Sequence, residues 1–198
     1  MPDIALPVSP LAHVLNPGRY GRALPEGPGV TLSTVHPCEI ASVIAARGKA
    51  SALAAAVKKD LGLALPGMGQ SASARGLALV GVQPDSWLAV QPGGQALANR
   101  LETKLGKLAM VTSLSHGRTA MRIAGPRARD VLSKGTAVDL HREVFKPGMA
   151  AATQIGHVGV TIICTGADSF DLITLSTFAA GFWDGLCELS LEWGYEVR

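Results

Sequence analysis

The residues of this 198-residue chain that could do chemistry gather in one stretch, from Ser113 to His141. His116 stands between a serine and a glycine, which is typical of a turn, and an imidazole there is a candidate base or ligand donor. Arg118 and Arg122 lie four residues apart in an alternating segment, so their side chains share one face of a predicted strand. Two guanidinium groups on one face are suited to bind a carboxylate or a phosphate.

Each of these residues also has a structural interpretation. His116 has no evident aspartate or cysteine partner nearby, which favours a turn residue that bonds locally. Arg118 and Arg122 fit ion pairs across a subunit interface or solvated surface positions, and we favour these two interpretations over an anion clamp. Arg127 and Arg129 fall on the short helix that follows, and both are expected to face solvent.

The central stretch predicts a strand, a sharp turn and a short helix. The strand is expected over residues 118–124, and Gly125 permits its abrupt end. Pro126 suits the first position of a helix, where its missing N–H costs nothing. Gly135 is expected to end this helix as its left-handed residue. The buried stripe of the helix, spaced at i, i+3 and i+4, consists of Ala128, Val131 and Leu132.

The rest of the chain mixes helical and strand periodicities. Residues 68–76 are small and polar and are expected to form a loop. Helices are predicted over residues 48–61, 94–105 and 178–193. Strands are predicted over residues 39–47, 77–82, 87–90, 108–114, 153–164 and 169–175. This order predicts an α+β fold with antiparallel or mixed sheets and helices on one face.

The last predicted helix carries two glycines, Gly181 and Gly185, at a spacing of four. Each costs about 1 kcal/mol of helix stability relative to alanine, which favours a close approach by another backbone as the reason for both. Ser176 or Thr177 is expected to cap this helix. Its buried stripe is expected to consist of Phe178, Phe182, Leu186, Leu189 and Trp193. The candidate interface residues of the chain are Arg118, Arg122, Gly181, Gly185 and Trp193.

Residues 1–29 hold six prolines and four glycines, which predicts an extended arm with little regular structure. The arm either wraps a neighbouring subunit or is a flexible terminus. Residues 30–198 are expected to form a single domain with two halves, about 30–106 and 107–198.

Composition narrows the function classes. A net charge of +3 without a basic run, and 5% aromatic residues, disfavour nucleic-acid binding. No apolar run reaches the length of a membrane span. Three widely spaced cysteines and no signal peptide indicate a reducing cytoplasm. Hydrophobic content is 47% and only 17% of residues are charged, so either partners cover apolar surface or the core is rich in alanine and glycine.

Motifs of the common catalytic and cofactor sites are missing from the sequence. It has no serine-nucleophile, zinc-protease, phosphate-loop or dinucleotide-binding pattern. We therefore expect no catalytic residue, no metal ligand set and no flavin or nicotinamide site in this chain. His116, Arg118 and Arg122 remain candidates for contact with a cofactor.

Six short phrases occur in an order that resembles a known family. They are Leu61-Gly-Leu-Ala-Leu-Pro66, Gln83-Pro-Asp-Ser-Trp-Leu88, Ser115-His-Gly-Arg118, Asp139-Leu-His141, Ser176-Thr-Phe-Ala179 and Glu192-Trp-Gly194. Together, over roughly residues 35–194, they look like the gamma subunit of heterotetrameric sarcosine oxidase. The strand–turn–helix unit is also similar to the folate-binding fold of the glycine-cleavage T-protein. Ser176 is a departure, because the family often has an arginine there.

The resemblance implies an auxiliary subunit that lacks the redox site. Its partners would be the alpha, beta and delta subunits of a complex that converts sarcosine to glycine and hydrogen peroxide and passes a one-carbon unit to tetrahydrofolate. FAD, FMN and NAD would be held by the larger subunits. The alternative is a stand-alone folate-binding protein or aminomethyltransferase of the same fold. That alternative requires a carboxylate for the pterin, and none of Asp85, Asp130 and Asp139 is an evident candidate.

Overall fold

Two β-sheets pack face to face in the computed structural model, which describes residues 8–198. The strands of the described chain are β1 (Gly18–Tyr20), β2 (Val30–Thr34), β3 (Cys38–Ala45), β4 (Ser71–Ala74), β5 (Leu77–Gln83), β6 (Ser86–Pro92), β7 (Ala109–Ser113), β8 (Arg118–Ala124), β9 (Ala150–Ile155), β10 (Val158–Gly166), β11 (Ser169–Leu175) and β12 (Tyr195–Val197). Short 3-10 turns occupy Gly106–Leu108, Ser176–Phe178 and Leu191–Trp193.

The larger sheet has seven strands in the order β1-β12-β2-β8-β11-β10-β9. Its β12–β2 pair is parallel and its other pairs are antiparallel. The smaller sheet has five strands in the order β4-β5-β6-β3-β7, all antiparallel. The α+β class predicted from the sequence, with antiparallel or mixed sheets, is confirmed.

Helices cover the outer face of each sheet. Helices α1 (Ala50–Leu61) and α2 (Leu97–Leu105) pack on the smaller sheet. Helices α3 (Ala128–Ser133) and α4 (Ala179–Ser190) pack on the larger one. Because strand side chains alternate, the opposite faces of the two sheets are left to meet each other. The core between them consists of Ile40, Val80, Leu88, Val90, Ala120, Ala150, Ile163 and Ile173.

The predicted arm differs from the structure within residues 8–29. Leu11 is fully buried in the core of the larger sheet. Strand β1 pairs with β12 and so forms one edge of that sheet. An apolar side chain and a strand edge tie this segment to the domain, and residues 1–7 of the predicted arm lie outside the described residues.

The division into halves at residues 106 and 107 also differs from the sheet boundaries. Strand β2 belongs to the larger sheet, where it pairs with β8 and β12. Strand β7 belongs to the smaller sheet, where it pairs with β3. Sheet membership follows strand pairing rather than position along the chain, so each sheet takes one strand from the other predicted half.

Three local predictions are corrected by the structure. The loop expected over residues 68–76 contains β4. The strand expected over residues 153–164 is the hairpin β9–β10, which turns at Gly156 with φ at +59°. Gly135 does not adopt the left-handed conformation; it is glycine because a Cβ there would lie 2.7 Å from Ile155 Cγ2.

The last helix also differs at its start. Phe178, expected in the buried stripe, is 54% exposed because it belongs to the 3-10 turn that precedes α4. No side chain caps α4. Ser176 Oγ instead lies 3.0 Å from Thr119 Oγ1 on β8, so this serine joins the turn to the sheet.

Candidate functional site

A cavity of about 410 Å³ opens where the chain passes between the two sheets. Its walls are the link from β2 to β3, the turn after β6 and the start of β8. Two of the sequence candidates, His116 and Arg118, lie on this wall together. The cavity also takes in Thr34, Cys38 and Glu39.

Arg118 is the cation of this cavity. It lies half-buried at the start of β8, and within residues 8–198 no carboxylate forms an ion pair with it. His116 is exposed in the turn just before it. An unpaired guanidinium on a cavity wall can receive the carboxylate of a ligand or of a neighbouring chain.

Arg122 does not join Arg118 in a clamp. Its Nε donates to Asp171 Oδ1 at 2.6 Å and its Nη2 donates to Asp171 Oδ2 at 2.9 Å. The two residues face each other in the β8–β11 register, which holds them at this spacing. The hydrogen bonds to Asp171 raise the pKa of Arg122 further. The acidic partner considered from the sequence therefore comes from the same chain.

Glu39 carries the carboxylate of the cavity wall. Its Oε2 accepts a hydrogen bond from the backbone N–H of Leu97 at 3.3 Å, at the N-terminus of α2. Gly93 and Gly94 precede this helix, so strand, glycines and helix follow in the order used for phosphate binding. A carboxylate at the helix terminus would repel a phosphate. The residues around α2 thus do not fit the phosphates of a flavin or nicotinamide dinucleotide.

Cys38 is the thiol of the cavity. Burial, with a smaller contribution from the Asp171 carboxylate, raises the pKa of this thiol to about 11. The thiol therefore stays protonated at neutral pH and is a poor nucleophile. Burial also raises the pKa of Cys164 and of Cys187.

Arg129 was expected to face solvent, and this prediction is wrong. Its residue surface is 8% exposed. The guanidinium donates to the carbonyl oxygens of Ala167, Leu140 and Phe145. It also lies 5.0 Å from the centre of the Phe170 ring. The helical periodicity of the sequence does not indicate that Arg129 is buried, because α3 has only six residues and is enclosed on several sides.

The interface candidates of α4 lie along a second concavity. A groove of about 500 Å³ runs between α4 and the β9–β10 hairpin, and Gly181 and Gly185 form part of it. Trp193 lies half-buried beyond the helix, with Lys134 Nζ 4.3 Å from its ring centre.

Two features are absent from residues 8–198. Within that range no group of three histidine, cysteine, aspartate or glutamate residues is placed to hold a metal ion. None of the helices in the described chain is long and apolar enough to cross a membrane.

Comparison with known protein families identifies the family of this chain. The profile described as "Sarcosine oxidase, gamma subunit family" matches residues 46–192. The chain belongs to this family. The resemblance inferred from the sequence phrases is thereby confirmed.

Curated gamma subunits align with part of this family member. The sarcosine oxidase subunit gamma of Arthrobacter sp is 36% identical over 119 residues, which are 59% of each chain. That of Corynebacterium sp. strain P-1 is 33% identical over 107 residues, 54% of this chain and 53% of the relative. That of Corynebacterium sp. strain U-96 is 31% identical over 127 residues, which are 63% of this chain and 62% of the relative. The alignments thus span less than two thirds of the relatives' length.

Solved structures overlap almost the whole gamma-family chain. A chain of the heterotetrameric sarcosine oxidase from Corynebacterium sp. U-96, in complex with pyrrole 2-carboxylate, superposes with a TM-score of 0.81 and 27% identity. The overlap covers 94% of this chain and 96% of that one. The glycine cleavage system aminomethyltransferase T from Bartonella henselae superposes with a TM-score of 0.67 and 17% identity, over 95% of this chain and 58% of that one. The second likeness shows that the fold is shared with the T-protein.

Proposed function

We propose that this chain is an auxiliary subunit of a sarcosine oxidase complex and does not itself hold the redox centre. The observation that carries the proposal is the overlap of 94% of this chain with 96% of a chain in a heterotetrameric sarcosine oxidase. The complex would oxidise sarcosine to glycine and hydrogen peroxide and pass the one-carbon unit to tetrahydrofolate. The free cysteines of this chain are compatible with a reducing cytoplasm.

The partners in this proposal are the alpha, beta and delta subunits, and the larger ones hold FAD, FMN and NAD. The cavity of this chain supports that division of labour. Glu39 occupies the N-terminus of α2, where a dinucleotide phosphate would bind. The thiol of Cys38, with a pKa of about 11, is unsuited to covalent catalysis at neutral pH.

Co-expression tests the proposal directly. The chain purified alone is expected to show no flavin absorbance and no oxidation of sarcosine, and the chain produced with the larger subunits is expected to co-elute with them. Flavin absorbance or sarcosine oxidation in the pure chain would overturn the assignment as an auxiliary subunit. Separate elution at micromolar concentration would count against membership of the complex.

A second candidate function is folate binding by the isolated chain. It is favoured by one observation, the presence of Glu39 and Arg118 on the same cavity wall, which could receive a pterin and a glutamate tail respectively. The carboxylates considered from the sequence do not serve it. Asp130 pairs with Arg127, Asp139 accepts from a backbone N–H, and Asp85 lies in the β5–β6 turn with φ at +54°.

Titration of tetrahydrofolate into the isolated chain separates the two functions. The auxiliary-subunit proposal expects no saturable change in intrinsic fluorescence. Saturable binding that Arg118→Ala abolishes, while Arg100→Ala on α2 leaves it intact, would establish the folate function instead.

A further inference from the structure

We propose that the groove between α4 and the β9–β10 hairpin is the docking site for an apolar helix of another subunit, with basic residues along the edge of that helix. The inference rests on the proposed function, because it names the surface by which an auxiliary subunit is held.

The groove is open and has an apolar lining. Its volume is about 500 Å³. Phe182, Leu186 and Ile155 belong to the buried core beneath it, and they are at most 4% exposed. Val158 and Leu189 are partly buried beside them and extend the apolar surface outward. The apolar side chains of the lining are Ile155, Val158, Phe182, Leu186 and Leu189. The apolar surface that remains for a partner to cover is that of Val158 and Leu189.

The two glycines of α4 are not explained by packing within the chain. A Cβ added to Gly181 or Gly185 would meet no atom within 4 Å, and neither residue has a positive φ. Each glycine nevertheless costs about 1 kcal/mol relative to alanine inside a helix. Gly135 on the same groove differs, because a Cβ there would lie 2.7 Å from Ile155 Cγ2. The space above Gly181 and Gly185 is therefore available to something outside the described chain.

Close backbone approach is what two glycines at this spacing permit. Positions four apart lie on the same side of a helix, one turn above the other. Packed helices normally lie 8–10 Å apart, at a distance set by the side chains at the contact. Without side chains at Gly181 and Gly185, an incoming helix can approach to the lower end of that distance and contact the apolar lining.

Charge at the edge of the groove specifies the partner further. Glu188 lines the groove, and Asp184 is exposed one turn earlier on the same helix. Neither forms an ion pair with a residue in the described range 8–198. Lys134 also lines the groove, and its charge is paired with Glu192 in the following 3-10 turn at 3.4 Å. The complementary partner therefore carries lysine or arginine beside its apolar face.

The test uses the complex assembled from this chain and the other subunits, and measures the dissociation constant of this chain. Gly185→Leu places a good helix former in the open space, so the isolated chain should melt at the same temperature as the wild type or higher. In the complex the same side chain blocks the groove, and the dissociation constant should rise at least tenfold.

A charge-reversal pair tests the edge of the groove. Asp184→Lys with Glu188→Lys should slow association and weaken binding at least tenfold, with the largest effect at low salt. Glu102→Lys is the matched control, because Glu102 is exposed on α2 and forms no ion pair within the described residues. Its dissociation constant should stay within twofold of the wild type.

Three outcomes separate the possibilities. Failure of the wild-type chain to join the complex contradicts the proposed function itself. Assembly of the wild type together with an unchanged dissociation constant for Gly185→Leu overturns only the docking site. Self-association of the isolated wild type that Gly185→Leu abolishes, with assembly unaffected, shows that the groove binds a second copy and also overturns the proposal.

Discussion

At the scale of single residues, three of the four arginines of the central stretch have clearly different environments. Arg118 faces a cavity without an ion pair in the described range, and Arg122 is held by both oxygens of Asp171. Arg129 is buried and donates to backbone carbonyls. The three arginines therefore make different contacts although they carry the same charge, because the surroundings of each guanidinium differ.

Arg129→Ala is expected to lower the free energy of unfolding by about 3 kcal/mol, because it leaves buried carbonyl oxygens without donors and removes a buried charge beside Asp168. Urea unfolding followed by circular dichroism measures the change. The control is Arg127→Ala, whose exposed ion pair with Asp130 should contribute less than about 1 kcal/mol. Equal effects of the two substitutions would show that the Arg129 contacts do not stabilise the fold.

The raised pKa of Cys38 predicts a loss of stability in alkali. The folded thiol has a pKa of about 11, against 9.0 as the reference value. The unfolded chain therefore loses this proton first as the pH rises. The stabilisation is complete below pH 9 and is lost as the pH approaches 11.

Unfolding free energies measured between pH 8 and 11 check this expectation. Cys38→Ser should weaken the alkaline decline, because serine does not titrate in this range. The remaining decline should come from Cys164, Cys187 and Tyr195, whose pKa values burial also raises. An identical pH profile for the variant and the wild type would argue against a raised pKa of the half-buried Cys38 thiol.

At the scale of elements, the close packing of α3 against the β9–β10 hairpin requires a glycine at position 135. Gly135 follows α3, and its carbonyl accepts a hydrogen bond from the N–H of Gly156 at the β9–β10 turn. A Cβ on Gly135 would lie too close to the side chain of Ile155. The end of α3 can therefore contact the hairpin directly only when residue 135 has no side chain.

Gly135→Ala is expected to destabilise the chain by about 1–3 kcal/mol, the usual cost of forcing extra volume into a packed region. Thermal and urea unfolding both report the change. Gly159→Ala on β10 is the matched control, since a Cβ there would meet no atom within 4 Å. A neutral result at Gly135 would mean that the hairpin moves aside without cost.

At the scale of the whole molecule, each sheet contains one strand from the other half of the chain: β2 lies in the larger sheet and β7 in the smaller one. An N-terminal segment also packs on the larger sheet. Leu11 contributes a fully buried side chain to the core of that sheet. The segment therefore stabilises the domain through Leu11.

Leu11→Ala is expected to cost about 2–5 kcal/mol of stability, as for other buried leucines. Val8→Ala is the control, because Val8 is 78% exposed. Its free energy of unfolding in urea should stay within about 0.5 kcal/mol of the wild type. If Leu11→Ala unfolds at the wild-type midpoint, the segment is not part of the stable core.

The predictions that held are those that depend on neighbouring residues. The helix expected over residues 48–61 is observed as Ala50–Leu61, and the strand expected over residues 118–124 is observed with the same bounds. The prediction for Arg129 failed because its burial depends on contacts between distant segments. The carbonyl of Ala167 that fixes Arg129 lies 38 residues away, and nothing in the periodicity of α3 indicates it.

The sequence by itself determined the α+β class, most of the helices and strands, and the ordered phrases that place the chain in its family. The tertiary structure alone decided which arginine is buried and which strands belong to each sheet. It also decided that the space above Gly181 and Gly185 is empty within the described chain. The physical reason is that side-chain periodicity records which side of an element is buried. Only the packing of distant segments decides which atoms lie against that side.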